Sequence, residues 1–325
     1  MLLLGFQAID SNSLGKIEPV LEEYGSLYDA QFERDAPQAV LGRSFVEDLK
    51  RALTTGERKV WTEEGNGPHR SVLIAHQLDW DSDFFGFRID RLDYLMGADT
   101  ETLEAVVRQY LKAAARSGVR QISSRVNVRE TEAANALLRN GFTLVGTKAM
   151  LRNPLRISAE VPGPFGRIRP FRAADMDSVR ELASSAAEVG RFANDYRFDK
   201  CRVRRMYEHW ALEQCANHGD QVLVAEVDGK VAGFLAFTVG LPLYGAPDVA
   251  NLRPGVVTLV VVDRLYRGQG LGHALLAHGA AQMRRSGARV AYATTAFGNA
   301  GSLAAFQSAG FRVLTGHWEF HWWLE

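Results

Sequence analysis

The residues with the clearest chemical potential form a glycine-rich segment in the C-terminal half of the chain. Gly268, Gly270 and Gly272 stand at alternate positions, with five residues between them and the apolar run 256–262, and lead into a helical pattern. Glycines at this spacing let backbone N–H groups converge without side-chain clash, and the following helix adds the positive end of its dipole. The segment therefore predicts a site for a pyrophosphate group.

Two well-known phosphate-binding motifs do not fit this segment. In the dinucleotide fingerprint the third glycine stands one position later, and an acidic residue follows a second strand about twenty residues on. The P-loop needs a Lys-Ser/Thr pair, which is missing. A glycine turn that serves only helix packing remains as the alternative.

The periodicity of the C-terminal half predicts the elements that position this segment. Strands are expected at 167–171, 221–227, 231–239, 256–262, 289–295 and 311–324, and helices from about 175 and at 200–215, 270–286 and 299–309. This order describes an α/β domain with a mixed sheet.

A proline-rich segment divides the chain nearly in half. We expect a linker at 153–166, with one domain at 1–152 before it and another at 167–325 after it. Within the first domain, residues 1–75 are predicted to form an extra region, with helices at 16–24 and 43–53 and a hairpin at 58–77.

An internal repeat relates the two halves. Gly118 and Gly287, each within Ser-Gly-x-Arg, are 169 positions apart, as are the Gly-Phe pairs at 141 and 310. The same offset places Asp99 and Glu101 opposite Gly268 and Gly270, and Leu103 opposite Gly272. Carboxylates at a pyrophosphate site would repel the ligand, so we expect only the C-terminal copy to bind it.

The overall composition limits the partners of the chain. The 38 basic and 38 acidic residues give zero net charge, which predicts no general attraction to nucleic acid or to an anionic membrane. No apolar run is long enough to span a bilayer, and a cytoplasmic protein is expected. Cys201 and Cys215 are interpreted as small buried residues, and no metal site is predicted.

The segment Arg267-Gly268-Gln269-Gly270-Leu271-Gly272 resembles the acetyl-CoA loop of the GNAT acyltransferase superfamily. Its context agrees: a valine-rich strand before it, a long helix after it, then Asn299-Ala300-Gly301-Ser302-Leu303 and Gly310-Phe311. The resemblance covers about 167–325. It implies acetyl-CoA (or another acyl-CoA) as cofactor and, together with the internal repeat, tandem GNAT-like α/β domains with mixed, centrally splayed sheets and a degenerate N-terminal copy.

The resemblance also implies roles for individual residues. Backbone amides of the loop would bind the pyrophosphate, and Val260 and Val262 would meet the pantetheine arm, as would Asn299. A strand N–H would stabilise the tetrahedral oxyanion. The expected cofactor-binding residues are Val260, Val262, Arg267, Gly268, Gln269, Gly270, Leu271, Gly272, Asn299 and Phe306.

Phe306 departs from the family pattern. Many members carry a tyrosine there that protonates the departing thiolate, and phenylalanine has no proton to give. A thiol pKa of about 8.5 makes the thiolate a tolerable leaving group without such an acid. Tyr244, His317 and His321 are candidate replacements, and Glu319 and Glu226 are candidate bases for the incoming amine.

The substrate is expected to be a small primary amine. The segment 80–86, with Trp80 and Phe84, and the pair Arg191-Phe192 resemble segments of the dTDP-fucosamine N-acetyltransferases, which are two-part GNAT enzymes. The segment 80–86 is equally well interpreted as a strand and turn of the core. A basic stretch that includes Arg191 could bind the diphosphate of a dTDP- or UDP-linked amino sugar.

The sequence is also compatible with other functions. The amine could be an amino acid, an antibiotic or a protein lysine, and the chain could be a non-catalytic acyl-CoA-binding module. A splayed sheet leaves an edge that often pairs between subunits in this superfamily, so a homodimer is a further expectation.

Overall fold

The computed structural model describes residues 6–9, 49–63, 71–97, 99–155, 166–218, 221–240 and 253–325, with a few isolated positions between 15 and 47. Most of the predicted linker, most of the predicted helix at 16–24 and Tyr244 lie outside the described residues. Positions 46, 47 and 49–53 of the predicted helix at 43–53 are described and are helical. The described residues form two compact units. The first unit contains those up to Gly146 together with His317–Glu325, and the second unit contains those from Thr147 to Gly316.

The first unit is a six-stranded sheet with helical residues packed against both faces. Its elements are β1 (Phe6–Ile9), β2 (Lys59–Glu63), β3 (Ser71–Gln77), α1 (Asp79–Phe85), β4 (Ile89–Gly97), α2 (Thr100–Arg116), β5 (Gln121–Asn127), α3 (Thr131–Arg139), the start of β6 (Thr143–Asn153) and the end of β12 (Arg312–Trp323). The strand order is β1-β2-β3-β4-β5-β12, in which β4 and β5 are parallel. Apolar side chains of α2 and α3 pack on Leu92, Ile122 and Phe320 of the sheet.

The second unit is also a six-stranded mixed sheet. It contains the rest of β6, then β7 (Arg167–Pro170), α4 (Met176–Ala186), α5 (Arg191–Asn194), α6 (Lys200–His218), β8 (Val222–Val227), β9 (Lys230–Val239), β10 (Gly255–Val262), α7 (Leu271–Arg285), β11 (Ala291–Ala296), α8 (Ala300–Ser308) and the start of β12. The strand order is β6-β11-β10-β9-β8-β7, with β10 and β11 parallel. The sequence-based elements of this half are confirmed to within a few residues.

The repeat corresponds to the same element order in both units. Each runs helix, strand, helix, strand: α2-β5-α3-β6 in one case and α7-β11-α8-β12 in the other. Gly118 and Gly287 both adopt positive φ angles, 78° and 90°, after the first helix. Gly141 and Gly310 do the same after the second helix, at 82° and 87°. These turns need glycine because a Cβ is strained in this region of φ.

The two units exchange their last strands. The second half of β12 pairs with β5 of the first unit, from His317 to Trp323. The second half of β6 pairs with β11 of the second unit, from Lys148 to Asn153. The units therefore divide inside β6 and β12, whereas the prolines that indicated the linker begin only at Pro154. Proline density reveals where a strand ends but not which sheet that strand joins.

The two cysteines of α6 differ in exposure. Cys215 packs in the core between α4, α6 and the sheet, as predicted, and burial raises the pKa of its thiol to about 11. The prediction that Cys201 is buried is wrong: this residue is exposed, because it lies in the first turn of the helix.

Thiol labelling should therefore distinguish the two cysteines. At pH 8 the folded protein should react rapidly with a disulfide reagent at Cys201 alone, because only a thiolate that solvent reaches attacks quickly. The Cys201→Ser variant should show almost no fast labelling until denaturant unfolds the chain and exposes Cys215. Fast reaction of two thiols in the folded protein would contradict this assignment.

Two expected absences can be examined in the described part of the chain. None of its helices has the length and apolar character needed to cross a membrane. It also holds no cluster of three or more histidine, cysteine or acidic side chains suited to a metal ion.

Candidate functional site

The parallel strands β10 and β11 of the second unit separate part-way along their length. They pair only from Gly255 to Val257 of β10. The next residue, Thr258, is an extra, bulged residue in the pairing of β10 with β9. Beyond this bulge the described parts of β10 and β11 do not pair with each other, so a slot opens between them. This is the splay that the family resemblance implies.

Backbone groups of β10 line this slot. The N–H of Asp263 donates to Ala232 on the β9 side, at 2.9 Å. Backbone groups alternate in direction along a strand, so those of Val260 and Val262 point away from β9 and towards the slot. The carbonyl of Val262 accepts a hydrogen bond from Arg267 Nε at 3.0 Å. The two predicted valines thus present main-chain groups where an extended ligand could bind.

The three glycines of the loop serve two purposes. Gly268 and Gly270 have φ angles of 77° and 83°, and a Cβ at either would meet nothing within 4 Å. They are needed for backbone conformation, and the space beside them is open. A Cβ on Gly272 would lie 3.4 Å from the Cβ of Ala305, so this glycine allows α7 and α8 to pack closely.

The N-terminus of α7 faces this open space. Gly270 is its N-cap and has no side chain to accept a hydrogen bond. The first intrahelical bond is donated by Ala274 to the carbonyl of Gly270, which leaves the N–H groups of the first turn without a helical acceptor. Free N–H groups at the positive end of a helix dipole bind anions.

The corresponding helix of the first unit is closed to an anion. Only two residues separate β4 from α2, compared with eight between β10 and α7. Asp99 is the N-cap of α2, and its carboxylate accepts from the N–H of Thr102 at 2.8 Å and from the hydroxyl of the same residue at 2.9 Å. The helix terminus therefore already carries its own carboxylate.

Other predicted cofactor-binding side chains have structural partners. Gln269 Nε2 donates to the carbonyl of Leu265 at 3.2 Å and stiffens the loop. Asn299 caps α8, where its Oδ1 accepts from the N–H of Ser302 at 3.1 Å. Phe306 is buried, with its ring 5.2 Å from that of Phe311 in an edge-to-face contact.

The described candidate acids and bases belong to different units. Glu226, on β8 of the second unit, accepts a hydrogen bond from Arg169 Nε at 2.7 Å. His317 and Glu319 belong to the part of β12 that lies in the first unit, where the buried carboxylate of Glu319 accepts from Arg125 Nε at 3.0 Å.

Arg169 also joins β7 to the start of α4. Its guanidinium donates two hydrogen bonds to the buried carboxylate of Asp175, at 2.7 and 2.9 Å. These bonds, with one from the N–H of Arg172, hold the pKa of Asp175 below its ordinary value although burial opposes the shift. Glu226 is thus the third member of an ion-pair network at the edge of the sheet.

The candidate substrate residues fall in both units. In the second unit the guanidinium carbon of Arg191 lies 4.4 Å from the ring centre of Phe192, which makes an edge-to-face contact with Phe198 at 5.0 Å. In the first unit Trp80 and Phe84 are stacked with ring centres 5.4 Å apart. They lie on α1, so the interpretation of this segment as a strand and turn was wrong.

Sequence reasoning missed the residues around the bulge. The hydroxyl of Thr258 donates to Gln214 Oε1 on α6 at 3.2 Å. An ion pair between Glu188 and Arg264 joins the end of α4 to the loop before α7. A bulge depends on strand register, and apolar periodicity does not reveal register.

Comparisons with known proteins agree with this geometry. Residues 178–311 match the model of the Acetyltransferase (GNAT) family. No protein of curated function matches the chain by sequence.

Several solved structures share the fold. A GCN5-related N-acetyltransferase from Sphaerobacter thermophilus has a TM-score of 0.62 at 15% identity, with 99% of this chain and 96% of that chain covered. A tandem GNAT protein from the clavulanic acid biosynthesis pathway has a TM-score of 0.55 at 15% identity, with 98% of each chain covered. A GCN5-related glucosamine N-acetyltransferase region of a fungal multi-domain GH3 β-N-acetylglucosaminidase has a TM-score of 0.60 at 13% identity, with 98% of this chain and 38% of that chain covered. These likenesses show an α/β GNAT fold, and the family match is consistent with an N-acetyltransferase.

Proposed function

Because the second unit matches the GNAT acetyltransferases and the chain has their fold, we propose that this protein transfers an acetyl group from acetyl-CoA to a small primary amine. The observation that carries the proposal is the open N-terminus of α7 beside the slot between β10 and β11. An anion site and an adjoining slot of main-chain groups suit a cofactor with a pyrophosphate and an extended amide arm.

Different residues of the second unit would bind different parts of acetyl-CoA. N–H groups at the start of α7 would hold the pyrophosphate, and main-chain groups of Val260 and Val262 would hold the arm. Acetyl-CoA supplies the activated acyl group, which the amine attacks directly within a ternary complex. An N–H of β10 directed into the slot would stabilise the negative charge that develops on the acyl oxygen.

Only the second unit is proposed to bind acetyl-CoA. The helix in the first unit that corresponds to α7 is capped by Asp99, and the preceding loop is six residues shorter. The tandem arrangement therefore combines one active copy with one degenerate copy, as proposed for residues 167–325 and 1–152.

The general acid and the general base are each proposed as a pair of candidate residues. Tyr244 and His317 are retained as candidate acids, since Phe306 cannot donate a proton. Glu226 and Glu319 are retained as candidate bases, but each is held in an ion pair. Each carboxylate is already engaged by an arginine guanidinium, which favours a structural role.

The most concrete substrate is an amino sugar carried on a nucleotide. Arg191 supports it, because its guanidinium rests on Phe192 and is half-buried, whereas the later basic residues Arg197, Lys200, Arg202, Arg204 and Arg205 are exposed. A guanidinium oriented in this way can bind a diphosphate with paired hydrogen bonds. The likeness to a glucosamine N-acetyltransferase region also agrees with an amino sugar.

Thermal and chemical unfolding with ligands tests this function. Acetyl-CoA at about 100 times its dissociation constant should raise the free energy of unfolding by about 2.7 kcal/mol. dTDP or UDP should add a further increase, whereas adenosine, which lacks a pyrophosphate, should not. Release of free thiol that depends on an added amine would distinguish an enzyme from a binding module. Absence of any acetyl-CoA effect would refute the proposal.

A further inference from the structure

A histidine occupies the first turn of α7, beside the proposed pyrophosphate site. His273 is the third residue of this helix, and its N–H is among those that the helix itself leaves without an acceptor. Helical side chains lean towards the N-terminus of their own helix, so the partly exposed imidazole covers the first turn. The residue therefore offers both a main-chain and a side-chain group to an anion bound there.

One nitrogen of this imidazole is held by the end of α8. His273 Nδ1 lies 2.9 Å from the Oγ of Ser308, the last residue of that helix. The hydroxyl of Ser308 donates its only hydrogen to the carbonyl of Ala305, at 2.9 Å, so its oxygen accepts from Nδ1. The neutral ring thus carries its hydrogen on Nδ1 and leaves Nε2 as a bare acceptor. Among the described residues Nε2 has no hydrogen-bond partner.

The first unit has a different pair at the same two positions. The offset of 169 residues that relates the halves places Glu104 opposite His273. It also places Arg139 opposite Ser308. These two side chains likewise meet across α2 and α3, where Arg139 Nη1 lies 3.7 Å from Glu104 Oε2, and Arg108 forms an ion pair with the same carboxylate. The copy with the closed helix terminus therefore has an ion-paired carboxylate here, whereas the second unit has an imidazole with one nitrogen available.

Few titratable groups surround the imidazole. α8 and β10 contain no charged or titratable residue, and the first turn of α7 contains no acidic one. The loop before α7 and the residues after α8 contribute Asp263, Arg264, Tyr266, Arg267 and Arg312. The other strands in contact with α7 contribute Arg167, Arg169, Glu226 and Lys230, and the rest of the helix contributes His278, Arg284 and Arg285. Of these groups, only His273 lies at the start of α7 and is of a type that ordinarily changes charge between about pH 5 and 8.

We propose that His273 binds a phosphate group of acetyl-CoA and takes up a proton from solvent to do so. The inference rests on the proposed function, since it concerns the same cofactor. A phosphate oxygen accepts hydrogen bonds, and the bare Nε2 of the neutral ring has none to give. Protonation places a hydrogen on Nε2 while Nδ1 stays bonded to Ser308, so the ring becomes a charge-assisted donor. Binding of the cofactor and binding of the proton are thereby linked, and each strengthens the other.

Calorimetric titration with acetyl-CoA at pH 6 and at pH 8.5, without an amine, tests the proposal. The affinity of the parent should be about tenfold above that of His273→Asn at pH 6 and close to it at pH 8.5. Asparagine keeps a donor for Ser308 and does not titrate, so the pH profile of this variant shows the ionisation of the cofactor itself. Near pH 7, titrations in buffers of different ionisation enthalpy should show more proton uptake by the parent than by the variant.

Two further variants separate proton linkage from packing. Ser308→Ala removes the acceptor of Nδ1, so the neutral ring can carry its hydrogen on Nε2 and bind phosphate without taking up a proton. The affinity of this variant should depend less on pH than that of the parent. His278→Asn changes a histidine of the same helix whose Nδ1 donates to the carbonyl of Ala274 at 2.9 Å, and it should keep the pH dependence of the parent.

A cofactor without the 3′-phosphate identifies which phosphate is bound. If the difference between the parent and His273→Asn persists with 3′-dephospho-acetyl-CoA, the group is the pyrophosphate, and if the difference disappears, it is the 3′-phosphate. Absence of acetyl-CoA binding at every pH would overturn the proposed function and this inference together. Binding with the same pH dependence in the parent and in His273→Asn would overturn the inference alone.

Discussion

Gly270→Glu is expected to abolish acetyl-CoA binding while the second unit stays folded. The introduced Cβ meets nothing within 4 Å, so the side chain fits without a clash. Its carboxylate would stand at the N-terminus of α7, where the pyrophosphate is proposed to bind, and would occupy the same N–H groups. Loss of several charge-assisted hydrogen bonds, with repulsion added, should weaken binding by a factor on the order of 100 or more.

The control for this variant must reproduce its backbone strain. The φ angle of 83° at Gly270 is unfavourable for any other residue, and the substitution should cost about 1 to 2 kcal/mol of stability. Gly229 has a φ of 76° in the turn between β8 and β9 and equal space around it. Gly229→Glu should therefore be destabilised similarly yet bind acetyl-CoA normally. Calorimetric titration of both variants with acetyl-CoA measures this difference. Unchanged binding in Gly270→Glu would refute the assignment of the loop.

The loop shows how far local sequence determines a site. Gly268 and Gly270 could be predicted because a converging turn of N–H groups demands positive φ, which the structure has at both residues. The role of Gly272 was not visible, since it depends on the distance to Ala305 on another helix. Conformation encoded within a few residues can be read from the sequence, whereas packing between helices cannot.

Strand exchange limits the prediction of the catalytic residues. The alternating pattern of β12 placed His317 and Glu319 on one face, and Glu319 is buried there beside Arg125. The sequence could not reveal that this part of β12 joins the sheet of the first unit, because pairing with β5 is a contact between residues nearly 200 positions apart. The self-capping of α2 by Asp99 was only partly foreseen: a carboxylate was expected at the site, but not its hydrogen bonds to Thr102.

Arg169→Met is expected to destabilise the second unit by about 3 kcal/mol near neutral pH. Removing one partner of a buried ion pair leaves the other charge uncompensated, and Asp175 is 5% exposed. Arg169 lowers the pKa of Asp175 in the folded state, so its contribution to stability is complete above about pH 4 and is lost as the pH falls further. The difference in the free energy of unfolding between parent and variant should therefore shrink in urea titrations at pH 3.

Arg167→Met, at an exposed arginine of the same strand, is the matched control and should change stability by less than about 0.5 kcal/mol. If Arg169→Met and Arg167→Met were equally stable at pH 7, the network would not anchor β7 to α4, and the hydrogen bond that holds Glu226 would no longer count against its service as a base.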